Sequence, residues 1–264
     1  MKILILGAGK MGAFFADLLS FDHEVAVLEK DPRRLRFIYN AVRMQSPGEI
    51  REFDPDLVIN CVTLNHTIAA FEETVSLLKP ACILSDVASV KTNLQAFYGA
   101  CGRPYVSTHP MFGPTFANLG NLEKENTIII SEGDHMGKIF FKDLYDRLKL
   151  NVFEYTFEEH DRVVAYSLGI PFASTLVFAA TMVHQDAPGT TFKRHMRIAR
   201  GLMSEDDYLL TEILFNPRTP RQIERIQQEL ADLQDMIRRR DTEAMKTYLA
   251  KLRKKMDIGC DRTV

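Results

Sequence analysis

The opening of the chain constrains its fold most. A short aliphatic run, Ile3-Leu4-Ile5-Leu6, ends in Gly7-Ala8-Gly9-Lys10-Met11-Gly12 and passes straight into a helical pattern over residues 11–19. Strand, glycine turn and helix in that order begin a parallel βαβ unit. Gly7 permits the tight turn, Gly9 lets the backbone approach a pyrophosphate, and Gly12 lets the helix pack close to the strand. Free N–H groups and the dipole at the helix N-terminus then favour bound phosphate. A second strand, residues 23–28, leads to Glu29, 22 positions after Gly7, close to the spacing of about 20 that the motif calls for. Gly7, Ala8, Gly9, Lys10, Met11, Gly12, Glu29 and Thr63, the last just past another strand, are therefore predicted to hold a dinucleotide. Glu29 can accept both adenosine ribose hydroxyls and would repel a 2′-phosphate, which favours NAD. Lys30, Arg33 and Arg34 follow it and work the other way, so NADP is the weaker candidate.

Further strand patterns at residues 57–62, 83–84, 105–106, 127–130 and 152–155 are spaced by helical patterns at 69–78 and 135–148. This alternation predicts an α/β fold with a doubly wound parallel sheet of the Rossmann type. After Thr156 no strand pattern remains, and the rest reads as an all-α region. The expected division is a dinucleotide-binding domain over 1–156 and a helical substrate and dimerisation domain over 157–264. Within the latter, Ile223, Ile226, Leu230, Leu233 and Ile237 step by three and four residues along a helix over 221–239. Asp241 is the expected N-cap of a last helix with Met245, Leu249, Leu252 and Met256 on one face. Both stripes fit packing within the domain or a subunit interface, and a homodimer through the helical domain is expected.

The bulk numbers exclude some partners. With 264 residues, 46% hydrophobic and 26% charged, and a net charge of -2, the chain resembles an ordinary globular protein. That balance gives no pull toward nucleic acid or anionic lipid. Cys61, Cys82, Cys101 and Cys260 form no CxxC pair and read as reduced packing residues of a cytoplasmic protein. The basic and apolar start is too short for a signal peptide. Residues 163–183 carry no charge and are long enough to span a membrane. Gly169, Pro171 and several Ser and Thr make a buried central helix the expectation instead. His66, His135 and His184 lack ligand spacing, so no metal is expected.

The chemistry should lie in Ser107-Thr108-His109-Pro110-Met111-Phe112-Gly113-Pro114. His109 is expected just past the strand at 105–106, on the carboxyl edge where ligands bind in such sheets. An imidazole there can take a proton near neutral pH, as oxidation by hydride loss requires. Asp86-Val87-Ala88-Ser89-Val90-Lys91 leaves the same edge.

Together with Glu159-His160-Asp161 ahead of a helical region, these motifs resemble the prephenate dehydrogenase family of tyrosine biosynthesis. The resemblance implies oxidative decarboxylation of prephenate to 4-hydroxyphenylpyruvate. It gives His109 the hydrogen bond to the ring hydroxyl and places Ser89 beside that histidine and the nicotinamide. Two substrate carboxylates call for cations, and Lys193, Arg194 and Arg197 are the candidates, with Arg200 nearby. Lys193 stands where the family commonly has arginine, which keeps the charge but loses the two-pronged geometry. Gly169-Ile170-Pro171-Phe172 stands where some branches carry histidines, so arogenate remains an alternative substrate. His160 and Asp161 read as a structural pairing at a helix N-terminus. No fused mutase or ACT domain is expected after the helical region, and tyrosine feedback at the active site is compatible with this reading. Reductases of the pyrroline-carboxylate or hydroxyacid type lack the HPMFGP loop, and an inactive nicotinamide sensor would have no need of His109.

Overall fold

The structure, a computed structural model, describes residues 1–91, 93–112 and 121–260, without the side chains of 258–260. Gly113 and Pro114 of the HPMFGP string, and the side chain of Cys260, lie outside the described residues.

In β1 (Lys2–Leu6) successive side chains enter opposite cores: Ile3 and Ile5 one, Leu4 and Leu6 the other. A strand buried on both faces must be central and covered by helices on each side. Those elements follow as α1 (Lys10–Leu19), β2 (Glu24–Leu28), α2 (Pro32–Leu35), β3 (Val42–Met44), α3 (Ile50–Phe53), β4 (Leu57–Asn60) and α4 (Thr67–Val75). Next come β5 (Ile83–Asp86), α5 (Leu94–Cys101), β6 (Tyr105–Pro110), β7 (Asn126–Ile130), α6 (His135–Arg147) and β8 (Asn151–Tyr155). The remainder is helical: α7 (Phe157–Ser167), α8 (Gly169–Thr181), α9 (Thr190–Leu202), α10 (Asp207–Leu214), α11 (Thr219–Arg239) and α12 (Thr242–Cys260).

The eight strands form one sheet in the order β3-β2-β1-β4-β5-β6-β7-β8. Its first six strands follow the doubly wound order, with the switch point beside β1. Every neighbouring pair is parallel except β6 with β7. The expectation of a parallel sheet therefore holds for most of it and fails at that one junction. β6 is longer than its two apolar residues suggested. Tyr105, Val106 and Ser107 pair with β5, and Thr108, His109 and Pro110 pair with β7. His109 thus lies within the strand rather than beyond it, in a polar run that hydrophobicity does not mark as a strand.

By compactness the chain forms two units: residues 1–164 with 203–215, and residues 165–202 with 216–264. In the first, α1 and α6 cover one face of the sheet, where Phe15, Phe141 and Tyr145 are fully buried. Phe71, Leu94 and Tyr98 from α4 and α5 cover the other. α10 also belongs to this unit and packs on the 3-10 turn Leu64–His66. Its N-terminus is capped by Asp206, whose carboxylate accepts from the N–H of Tyr208 and of Leu209.

In the second unit α8 packs against α9 and α11. Gly169 permits this, since a Cβ there would come to 3.3 Å from Thr219 Oγ1. α12 starts as expected, with Ala244 N–H donating to Asp241 Oδ1 at 2.9 Å. The expected buried central helix is not found. The apolar stretch Phe157–Thr181 is long and apolar enough by composition to cross a membrane, yet only 22% of its most apolar window is buried. The segment breaks at Leu168 into α7 and α8, and α8 is covered on one side, leaving Val177 55% exposed.

Candidate active site

A cavity of about 480 Å³ opens at the carboxyl ends of β1, β2 and β4. Gly7, Gly9, Glu29, Thr63, His66 and Glu73 are among the residues lining it. Each glycine has a distinct structural cause. Gly7 sits at φ +93°, where an L side chain is strained, and a Cβ on Gly12 would overlap the Gly7 carbonyl oxygen. Around Gly9 an added Cβ would meet nothing within 4 Å, so the space above it is open to a ligand. As N-cap of α1, Gly9 offers no side chain to the first-turn N–H groups, and that turn holds no acidic residue. An open, glycine-lined helix N-terminus of this kind fits a pyrophosphate. Lys10, Met11 and Gly12 belong to the first turn of α1 and do not line the cavity.

Glu29 is fixed in place. Its carboxylate accepts from the Ala8 N–H and the Asp31 N–H, each at 2.9 Å. This ties the glycine loop to the end of β2 and sets the carboxylate at the cavity wall, where ribose hydroxyls would be accepted. The three cations that could hold a 2′-phosphate, of which Lys30 and Arg34 also line the cavity, each face a carboxylate at the surface. Lys30 Nζ lies 2.8 Å from Glu73, Arg33 grips Asp31 through two nitrogens, and Arg34 is 3.9 Å from Glu29. Thr63 precedes the 3-10 turn and donates to Asn65 Oδ1 at 2.9 Å. The residues present fit a dinucleotide.

His109 lies on the same sheet edge, two positions beyond Ser107, which pairs with Asp86. Ser89 follows three positions after Asp86, in the loop leaving β5. The strand around His109 is held rigidly. Thr127 Oγ1 donates to the His109 carbonyl at 3.3 Å, and Thr108 Oγ1 lies 2.8 Å from Tyr145 Oη. Three residues after His109, Phe112 is buried and meets Phe14 of α1 edge-on. His109 is 4% exposed, and its Nδ1 is 2.9 Å from Nε2 of His160, which is fully buried. Burial first, then the charges of His160 and Lys91, hold the His109 pKa well below the ordinary 6.5. The imidazole is therefore uncharged at neutral pH and free to accept a proton.

Beneath this site lies a network that the sequence reading did not identify. Lys91 and Asp86 form an ion pair at 2.6 Å with both side chains wholly inaccessible. Lys91 Nζ also donates to the Thr108 carbonyl at 2.7 Å. Asp86 accepts in addition from Tyr98 Oη at 2.7 Å and from the Ala88 N–H at 3.0 Å. The pair thus joins the loop carrying Ser89 to the strand carrying His109. Both charged residues stand in the DVASVK string, and a lysine five positions after a strand-end aspartate was the available signal.

The expected pairing of His160 with Asp161 is present near the start of α7, at 3.4 Å, but these two residues do not make the cap. The N-terminus of α7 is capped by Thr156 and Glu159: Glu159 N–H donates to Thr156 Oγ1 at 3.1 Å, and Thr156 N–H to Glu159 Oε2 at 2.9 Å. That reciprocal capping box leaves His160 to point inward. The Thr-x-x-Glu signature was legible in the sequence. Lys193, Arg194 and Arg197 fall in the second unit, exposed along one face of α9.

Cys61, Cys82 and Cys101 are free thiols. Burial pushes the Cys61 thiol up and that of Cys82 up to about 12, as suits packing residues.

A family model described as the nucleotide-binding domain of prephenate dehydrogenase matches residues 14–150. A probable arogenate/prephenate dehydrogenase of Methanocaldococcus jannaschii is 23% identical over 203 residues, which is 71% of this chain and 45% of that protein. The chain thus spans about half the length of that curated relative. The crystal structure of prephenate dehydrogenase from A. aeolicus with hydroxyphenyl propionate and NAD+ is similar at a TM-score of 0.80, with 23% identity and 98% of each chain covered. That of Synechocystis arogenate dehydrogenase is similar at 0.75, with 19% identity and all of each chain covered.

Proposed function

Because the chain belongs to the prephenate dehydrogenase family, we propose that it carries out the NAD-dependent oxidative decarboxylation of prephenate to 4-hydroxyphenylpyruvate in tyrosine biosynthesis. Arogenate is the alternative substrate, since the motifs discussed above serve the ring and not the side chain. The observation that carries the reading is His109, a buried and uncharged imidazole on the sheet edge that also forms the dinucleotide cavity.

When bound, the nicotinamide supplies the hydride acceptor. His109 accepts the proton of the ring hydroxyl while the carbon bearing it is oxidised, a contribution of roughly 10² to 10⁴ in rate. The bonding pair left as CO₂ departs makes the ring aromatic, so decarboxylation asks little of the protein. Ser89 orients the hydroxyl beside His109. Lys193, Arg194 and Arg197 supply positive charge for the substrate carboxylates. We assign cofactor binding to residues 1–156, and substrate recognition and subunit pairing to 157–264.

The cofactor reading favours NAD because the Glu29 carboxylate, held at the cavity wall, would repel a 2′-phosphate. A cytoplasmic homodimer completes the proposal: the apolar residues left exposed on α8 and α11 call for a cover, and a second copy supplies one. An inactive sensor module is disfavoured, since it would lack a proton acceptor and His109 is present.

The test is NADH formation at 340 nm with prephenate and with arogenate, each with NAD and with NADP. Turnover of prephenate with NAD at the highest kcat/KM is expected. Preference for arogenate would replace the substrate, and no turnover of either would end the dehydrogenase reading.

A further inference from the structure

We propose that His160, backed by Asp161, sets the tautomer of His109 and so makes Nε2 of His109 the proton acceptor. The inference rests on the dehydrogenase reading for what His109 does, but its geometric part stands alone.

The contact between His109 Nδ1 and His160 Nε2, at 2.9 Å, needs one proton between two nitrogens. On the far side, His160 Nδ1 lies 3.4 Å from Asp161 Oδ1. An ionised carboxylate only accepts, so His160 Nδ1 carries a proton. A neutral His160 then has a bare Nε2, and the proton of the shared contact belongs to His109 Nδ1. That leaves His109 Nε2 with its lone pair. The opposite tautomer would put a proton on Nε2 and make His109 unable to accept from the substrate.

Protonating both rings would set N–H against N–H. The charged groups facing the pair are Lys91 from the loop after β5, Asp86 from β5 and Asp161 from α7. Once His109 takes the substrate proton, its Nδ1–H still donates to His160, so the imidazolium keeps its partner through the reaction. His160 touches no reacting atom in this scheme; it is a positioning residue. The same logic of an acceptor fixing the tautomer of a catalytic imidazole operates wherever a second group holds its other nitrogen.

Two measurements test this. In protein labelled with ¹⁵N-histidine and free of substrate, long-range ¹⁵N–¹H correlation should show His109 protonated at Nδ1 and bare at Nε2. A His109 protonated at Nε2 would overturn the proposal whether or not the protein turns over prephenate. Second, His160→Leu removes the acceptor and should lower kcat about tenfold or more with little change in the KM for NAD, whereas His160→Gln restores an oxygen acceptor and should recover much of the loss. A folded His160→Leu protein with parental kcat and an unchanged His109 tautomer would also overturn it. If His160→Leu does not fold, the parent spectrum decides alone. Absence of dehydrogenase activity in the parent, by contrast, would count against the dehydrogenase reading and leave the tautomer result intact.

Discussion

A histidine that is 4% exposed, faces a second imidazole and lies near a buried ammonium resists protonation. Composition alone suggested an ionisation near the ordinary value, about 6.5; the surroundings of His109 move it well below. Only the neutral ring accepts, so kcat/KM should stay level as pH falls through 6.5 and drop only at distinctly lower pH. His109→Asn should remove that acidic limb and lower kcat by roughly 10² or more, with cofactor affinity kept. A parental limb centred at or above 6.5 would contradict the environment described for His109. Ser89→Ala should cost less, because it moves no proton. The same lowered pKa has a stability counterpart. Between the folded and unfolded values the unfolded chain binds more protons, so this contribution is intact above about 6.5 and is lost as pH falls below it. At the cavity, Glu29→Gln is the informative change, because an amide oxygen can still accept from the Ala8 and Asp31 N–H groups. Without the negative charge, the preference for NAD over NADP should narrow in kcat/KM. A parent enzyme that already prefers NADP would shift attention to Lys30, Arg33 and Arg34.

At the level of elements, the glycine loop separates folding from binding. Gly12→Ala would drive a Cβ into the Gly7 carbonyl and force α1 away from β1, so a large fall in melting temperature is expected. Gly9→Ala meets nothing in the protein and should cost less than about 1 kcal/mol of stability, yet weaken NAD binding in calorimetry. Equal stability losses in the two variants would refute that division. The Asp86–Lys91 pair allows a sharper forecast. Lys91→Met leaves a buried carboxylate without its cation, a change that typically costs about 3–5 kcal/mol, readable in urea denaturation. A loss under 1 kcal/mol would mean that Tyr98 and the Ala88 N–H satisfy Asp86 unaided. These elements also show what the sequence could disclose. Strand β1, the glycine turn and α1 were legible because each level of pattern agrees: aliphatic run, turn residues and helical period. β3 escaped because three residues, Val42-Arg43-Met44, are too few for a period. The second half of β6 escaped because Ser107-Thr108-His109 are polar yet buried, and the partners of Thr108 and His109 come from other elements. The His109–His160 contact joins residues 51 positions apart, which no local pattern encodes.

For the whole molecule, the second unit poses a problem of burial. Among its described residues, Leu202 is the sole large apolar side chain that is buried; the others buried there are Ala165, Gly169, Ala173, Ala199, Asn216 and Thr219. A single chain therefore leaves the unit short of the core that roughly ninety residues need. The apolar period along α11 was read correctly, but periodicity names a face and not what covers it. Leu230 is 53% and Ile237 59% exposed, and Val177 on the uncharged α8 is 55% exposed. Single exposed apolar side chains are ordinary, but clusters repeated on several helices mark an interface. Obligate homodimers bury about 2,000–5,000 Å² of largely apolar surface, which suits these faces. Sedimentation velocity at nanomolar concentration should therefore show a dimer. Val177→Glu places a charge in the proposed contact and should weaken dimerisation by about 10²-fold or more, the scale of a disrupted interface anchor. Because Val177 is exposed in the single chain, its change should leave the melting of the sheet unit unaltered. An active parent that sediments as a monomer at these concentrations, or a Val177→Glu protein that dimerises as tightly as the parent, would show that α8 meets some other surface.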